Sequence, residues 1–273
     1  MATIGIDGVN LAYEESGSGP PVVLVHGTGG AVWDPLPGKL AAAGYREIHY
    51  HRRGFGASTH APIKDLSRHT RDAAALIERL DAAPAIVIGH SMGGVITLDL
   101  AVRRPELVRG LVVVEPPLHF KKHPSMRMLR ELVGAQLVRR TRGERAGAER
   151  FMRWATTTSD GANGFDLTPP EAQAELVANS PAIMRELDSG TGEHVKNEEL
   201  SRIAVPAICL VGGETLPEYG KAAERIKRAL PSLEIVGVPG AGHVLPVTHP
   251  DAVVDAVVRV AEQASAEDPT PAS

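Results

Sequence analysis

Ala85-Ile86-Val87-Ile88-Gly89-His90-Ser91-Met92-Gly93-Gly94-Val95-Ile96-Thr97-Leu98-Asp99-Leu100-Ala101-Val102 is the stretch whose reading decides the fold. It opens with an apolar β-branched run, passes through G-x-S-x-G, and continues with apolar residues at helical spacing (Val95, Ile96, Leu98, Leu100, Val102). The pattern predicts a buried strand turning directly into a helix. Small residues on both sides of Ser91 suit a turn so tight that its central backbone is strained. Such a turn lifts the hydroxyl clear of the sheet, where the free N–H groups of the new helix point at it. Ser91 is the candidate nucleophile.

A serine hydroxyl is nearly inert at neutral pH and needs a base and a site for the developing oxyanion. Pro21-Val22-Val23-Leu24-Val25 reads as a second buried strand running into His26-Gly27-Thr28-Gly29-Gly30. This turn is open enough for backbone N–H groups to approach a substrate oxygen, and the expected donors are those of Thr28 and Met92. Among eleven histidines, His243 stands apart. It lies in Pro239-Gly240-Ala241-Gly242-His243, between the strand-like Leu233–Val238 and a helix carrying Val253, Val254, Val257 and Val258. A histidine on such a loop can reach over the sheet to Ser91. His249, before Pro250, reads as the start of the last helix, and His26 and His90 read as packing residues.

Residues 4–263 resemble the α/β-hydrolase fold family at the H-G-x-G-G turn, the G-x-S-x-G elbow and the G-x-G-H loop. His51-Arg52-Arg53-Gly54-Phe55-Gly56-Ala57-Ser58 is similar to the family's D-x-R-G-x-G-x-S loop, with His51 in place of the aspartate. The acid departs from the commonest pattern. Where many relatives carry aspartate in G-x-x-D, this chain has Gly212-Gly213-Glu214-Thr215, and Thr215 cannot supply the charge that stabilises an imidazolium. Two carboxylates compete: Glu214, and Glu115 in Val114-Glu115-Pro116-Pro117, expected to end its strand in an extended conformation set by the prolines. A carboxylate closing an apolar strand is costly unless it meets a partner. In these motifs the chain resembles the zearalenone-lactone hydrolases, which implies Glu115 as the acid and Glu214 as the alternative.

The composition agrees with one enzyme domain. The 273 residues are 43% hydrophobic and 23% charged, with a net charge of −4, which gives no reason to expect nucleic acid or an anionic membrane as partner. The single cysteine, Cys209, falls in a predicted strand and reads as a core residue. With no long apolar run and no signal pattern at Met1–Asp7, a cytoplasmic location is expected.

Strand and helix patterns alternate, predicting an α/β fold: a mostly parallel eight-stranded sheet with helices on both faces. Strands are expected near 2–6, 9–15, 21–25, 46–50, 85–89, 110–115, 206–211 and 233–238, the first two antiparallel across Asp7-Gly8. Helices are expected near 32–43, 66–80, 92–103, 218–230 and 249–263. The core is assigned to residues 1–116 and 204–263, and the small polar stretch 264–273 to a disordered tail. Residues 117–203 lack a convincing strand and carry helical patterns, including one opened by Ser180-Pro181 as N-cap and first-turn proline. The resemblance makes this interval a helical cap after the sixth strand. Phe120, Phe151, Phe165, Trp154, Met126, Met128, Met152 and Met184 fall inside it, and such soft, bulky groups suit an apolar pocket. Trp154, Phe151, Met128 and Met184 are the expected substrate-binding residues. The cap is also rich in Lys and Arg, read mainly as a solvated face.

These readings imply an α/β-fold serine hydrolase of the carboxylesterase or lactonase class, acting on a small hydrophobic ester or lactone through an acyl-enzyme, with no cofactor and no metal. A homodimer is left open. Carbon–carbon bond hydrolysis and cofactor-independent haloperoxidation reuse the same triad, and a ligand-binding receptor is the non-enzymatic alternative.

Overall fold

A computed structural model describes residues 1–61, 65–190 and 192–267. Eight strands form one sheet in the order β1-β2-β4-β3-β5-β6-β7-β8. They are β1 Ala2–Ile6, β2 Val9–Ser16, β3 Pro21–Val25, β4 Arg46–Tyr50, β5 Ala85–His90, β6 Val108–Val114, β7 Ala207–Gly212 and β8 Glu234–Val238. β1 and β2 pair antiparallel, as does β2 with β4, and from β4 to β8 every pairing is parallel. The helical connections this requires cover both faces.

Side-chain alternation along each strand divides the core in two. Val23, Val25, Val87, Leu111, Val113 and Cys209 face α2 (Ser67–Arg79), α3 (Met92–Arg103) and α10 (Pro217–Ala229). Val22, Leu24, Ile86, Ile88, Val112, Val114, Ile208 and Leu210 face α1 (Leu36–Ala42) and α12 (Pro250–Glu267). Continuous apolar runs in β3, β5 and β6 are what burial on both faces demands.

The cap is inserted after β6 and contains α4 (Met126–Arg142), α5 (Glu144–Ala155), α6 (Gly164–Leu167), α7 (Pro170–Ala178), α8 (Ser180–Ser189) and α9 (Asn197–Leu200). After β8 a short α11 (Leu245–Thr248) precedes α12, and no helix among the described residues is long and apolar enough to cross a membrane.

Three sequence expectations need correction. The strand leading to Glu115 ends at Val114, and Glu115 has φ +48° instead of an extended backbone. Its N–H still donates to Leu210 O at 3.1 Å, so the chain turns while tethered to β7. Ser180 is not the N-cap of α8: Asn179 precedes the helix, and the Ser180 hydroxyl donates to Val177 O. The proposed tail is partly helical, because α12 continues to Glu267. Ala264 is buried and the Ser265 hydroxyl donates to Ala261 O, while residues 268–273 lie outside the described residues.

The β5–α3 junction has little room. Ser91 has φ +51° and ψ −120°, and a Cβ on Gly93 would overlap the carbonyl oxygen of Val25. Gly93→Ala is expected to destabilise the protein by about 1–3 kcal/mol, as overpacking does. Gly220→Ala, in the interior of α10 with open space around its Cα, is expected to stabilise it by about 0.5–1 kcal/mol. Urea unfolding midpoints check both signs.

Candidate active site

Ser91, Glu115 and His243 come from the ends of β5, β6 and the loop after β8, all at the carboxyl edge of the sheet. This is where loops of a parallel sheet converge on a ligand. The Ser91 N–H donates to Val114 O at 2.8 Å, holding the junction against β6. Ser91 and His243 both line one cavity, together with Thr28 and Met92. Met92 opens α3, so its N–H has no acceptor within the helix.

Of the two candidate acids, the structure brings Glu115 to His243. Glu115 is fully buried and its Oε2 lies 2.6 Å from His243 Nδ1. The same oxygen accepts the Thr215 hydroxyl at 2.9 Å, and Oε1 accepts the Gly212 N–H at 2.8 Å. Thr215, at the position of the G-x-x-D aspartate, therefore donates a hydrogen bond to the candidate acid Glu115 delivered one strand away. Both oxygens of the buried carboxylate are thus held by partners from other segments. With Nδ1 bonded to a carboxylate, that nitrogen carries the proton and Nε2 is left free to accept one.

Glu214 points elsewhere. Its N–H is bound to Ala241 O, its carbonyl accepts the Ser159 N–H, and its carboxylate accepts the Ser159 hydroxyl of the cap. The one-residue offset from Thr215 turns it away from the histidine.

Two residues missed as site components flank His243. Tyr219, in the first turn of α10, stacks on the imidazole with ring centroids 4.2 Å apart and an interplanar angle of 13°. His90 lies on another side, 4.9 Å between centroids, and its Nε2–H donates to the His243 carbonyl at 2.8 Å. Burial, and then the charge on His243, hold His90 down at about 3, so it stays neutral beside the His243 ring. Cys209 is a buried core residue as expected, its thiol pushed up by burial and then by Glu115.

The candidate oxyanion turn, residues 26–30, is tied to the cap. Arg52 is fully buried and donates from Nη1 and Nη2 to Glu186 of α8 at 2.5 and 3.1 Å, while Nη2 also reaches Gly27 O at 2.8 Å. His26 supports it: Nδ1 donates to Gly27 O, and Nε2 accepts the Arg52 N–H at 2.9 Å. Asn179 donates to Gly29 O and accepts the Gly56 N–H. A signal for Glu186 was present in the sequence, since an acid beside Ile183, Met184 and Leu187 needs a buried partner. His51 fills the aspartate's place differently, with Nδ1 accepting the Ala57 N–H at 3.3 Å.

The cavity leaves about 110 Å³ for the centres of water molecules. Phe151, Trp154 and Met128 line it, joined by Phe120, Met152, Phe165 and Leu176. Met184 does not: it sits on the side of α8 packed with Phe55, Ala148 and Ile183, and is fully buried there. The cap's arginines pair with acids on its outer surface, as in Arg139–Asp188, Arg150–Glu131 and Arg153–Asp166. Lys121 reaches the cavity wall and donates to Leu187 O.

The sequence pattern of the Alpha/beta hydrolase family matches residues 22–256. A protein of Mycobacterium tuberculosis H37Rv provisionally named a non-heme bromoperoxidase, BpoC, is 31% identical over 264 residues, 92% of this chain and 97% of that one. Its crystal structure superposes with a TM-score of 0.72 at 28% identity, covering 93% of this chain and 96% of that one. An esterase of Thermogutta terrifontis gives 0.76 at 24% identity over 96% and 97%. The enol-lactonase of Burkholderia xenovorans LB400 gives 0.75 at 21% identity over 96% and 100%. At these last two identities the likeness is one of fold.

Glu115→Gln is expected to lower kcat for a chromogenic ester by orders of magnitude, the loss in a serine-protease triad being about 10⁴. The amide keeps the shape but removes the charge and can hold the wrong tautomer. Glu214→Gln is expected to cost less than about tenfold, since it removes a contact to Ser159 at the cap edge. Steady-state kinetics of the two variants check the difference.

Proposed function

Because the chain belongs to the alpha/beta hydrolase family, we propose that it is a serine-dependent hydrolase cleaving an ester or lactone bond of a small hydrophobic substrate. One observation carries the reading. A buried Glu115–His243 pair at 2.6 Å opens on the same apolar-walled cavity as Ser91, whose backbone takes the strained conformation of a nucleophile turn.

In this reading His243 Nε2 takes the hydroxyl proton as Ser91 Oγ attacks the carbonyl carbon. The negative charge that forms on the carbonyl oxygen is met by the N–H groups of Thr28 and Met92. Collapse of the tetrahedral intermediate expels the alkoxide, which receives the proton from His243, and leaves an acyl group on Ser91. Water then attacks the acyl carbon, giving its proton to the same nitrogen, and the acid product leaves with Ser91 restored. For a lactone the alkoxide is part of the acyl group, so a single hydroxy acid is released. Glu115 fixes the tautomer and stabilises the charged imidazole throughout. No cofactor enters these steps.

The wall composition supports the substrate class. Phe120, Met128, Phe151, Met152, Trp154 and Phe165 offer apolar surface, and Met and aromatic groups adapt to irregular shapes. A second reading is favoured by the name of the Mycobacterium tuberculosis relative. Hydrogen peroxide in place of water would take the acyl group as a peracid, which oxidises bromide to hypobromite and returns the carboxylate. The two readings share Ser91, His243 and Glu115 and differ in the acyl acceptor.

Ser91→Ala is expected to abolish labelling by an organophosphonate and to cut ester turnover by at least about 10³-fold, with the melting temperature unchanged. Labelling that persists in the variant would contradict the assignment. Trp154→Gln is expected to reduce kcat/KM for bulky apolar esters and lactones about tenfold more than for an acetate ester. Equal losses across a size series would make the cap wall a support and not a selector.

A further inference from the structure

His243 is the member of the proposed triad that becomes a cation during turnover, and the face of its ring is not left to solvent. Tyr219 covers it in parallel at 4.2 Å between centroids. Tyr219 is 3% exposed, and its hydroxyl donates to Ala155 O, the last residue of α5, at 3.2 Å. Burial, and then the charges of Glu115 and Glu218, hold its phenol well above the usual range, so the ring stays neutral. The titratable groups set against the imidazole are thus Glu115 from the end of β6, His90 from the end of β5 and Tyr219 from α10.

We propose that Tyr219 is a positioning residue that stabilises the charged form of His243 through the face of its ring, favouring the imidazolium formed as Ser91 attacks. The inference rests on the serine-hydrolase reading of the site. An aromatic face is negative and attracts a cation, most strongly where both are desolvated. A neutral imidazole gains only ordinary stacking from the same contact. The difference between the two is present in the transition state and absent in the resting enzyme, which is the condition for an interaction to raise kcat. Glu115 acts in the plane of the imidazole at Nδ1, whereas Tyr219 acts on its face, so both can act together without competing for an atom. The hydroxyl bond to Ala155 connects this stack to the cap. The position of α5, whose Phe151 and Trp154 line the cavity, therefore bears on the ring over the base.

The test compares the full chain with Tyr219→Phe, which keeps the ring, and with Tyr219→Leu and Tyr219→Met, which remove it but keep apolar bulk. The imidazole C–H signals of His243 are titrated by NMR in a Ser91→Ala background, assigned by their loss in His243→Gln. This arm needs no turnover and so stands apart from the hydrolase reading, which fails separately if the wild type cleaves no ester or lactone. Removing the ring withdraws stabilisation from the protonated form, so the midpoint must fall. The expected fall is about one pH unit in the folded Leu or Met variant, with Phe within about 0.3 of wild type. In p-nitrophenyl butyrate hydrolysis the acidic limb of kcat/KM should move the same way, with kcat about tenfold lower and KM changed less than threefold. A midpoint unmoved by loss of the ring would reduce Tyr219 to packing. A Phe variant displaced as far as Leu or Met would assign the effect to the hydroxyl bond with Ala155. Either result overturns the proposal.

Discussion

A carboxylate with no exposed surface, at the carboxyl edge of the sheet, is the constraint around which this molecule is arranged. Left alone, the Glu115 charge would be prohibitively costly to bury. It is met by an N–H at the end of β7, a hydroxyl in the turn that follows, and an imidazole from the loop after β8. Those donors belong to segments separated from Glu115 by 97, 100 and 128 residues. The requirement therefore fixes two strand ends, the turn after β7 and the loop after β8 relative to each other. Breaking a buried charge network costs about 3–5 kcal/mol, so the requirement is also enforced energetically. A carboxylate at the end of β6 reaches the imidazole as one in the β7 turn would, because the two strands are neighbours, and Thr215 in that turn supplies a donor.

The same logic joins cap to core. Arg52 and Glu186 are both nearly inaccessible and neutralise each other across the boundary, while Arg52 also holds the carbonyl of Gly27. Asn179 holds the carbonyl of Gly29, and Tyr219 the carbonyl of Ala155. The cap is thus attached to the glycine-rich turn 26–30 and to the aromatic neighbour of His243 by polar contacts, with apolar packing between them. An apolar interface would tolerate sliding, whereas directional bonds fix the cap's register over Ser91.

Much of this was legible in the residues. All eight strands lie within two residues of their expected bounds; β3, β5, β6 and β7 were legible as apolar runs because strands buried on both faces leave that composition, and the partly exposed β1, β2, β4 and β8 from short β-branched runs between turn residues. Ser91 and His243 were legible as candidates because tight turns demand glycine at fixed offsets, and the structure sets both on one cavity. Glu115 was legible as an unpaired acid closing an apolar strand, but its positive φ was not: the prolines after it argued for extended backbone, and the carboxylate's three partners prevailed over that local preference. Met184 failed for a related reason. Its helix has two apolar sides, and composition cannot say which of them faces the cavity. Tyr219, Arg52 and Asn179 act through partners 64 to 150 residues distant, and no local pattern announces such pairings.

The central claim, that Ser91 carries the acyl group of an ester or lactone substrate, is tested most directly by rapid-quench mass spectrometry with a p-nitrophenyl ester. The expected result is a burst of nitrophenol close to one equivalent per chain, together with an acyl mass increment on the peptide containing Ser91 that decays at the rate of turnover. Steady turnover with the increment on a different residue, or with an unmodified Ser91 peptide under conditions where deacylation limits the rate, would contradict the account.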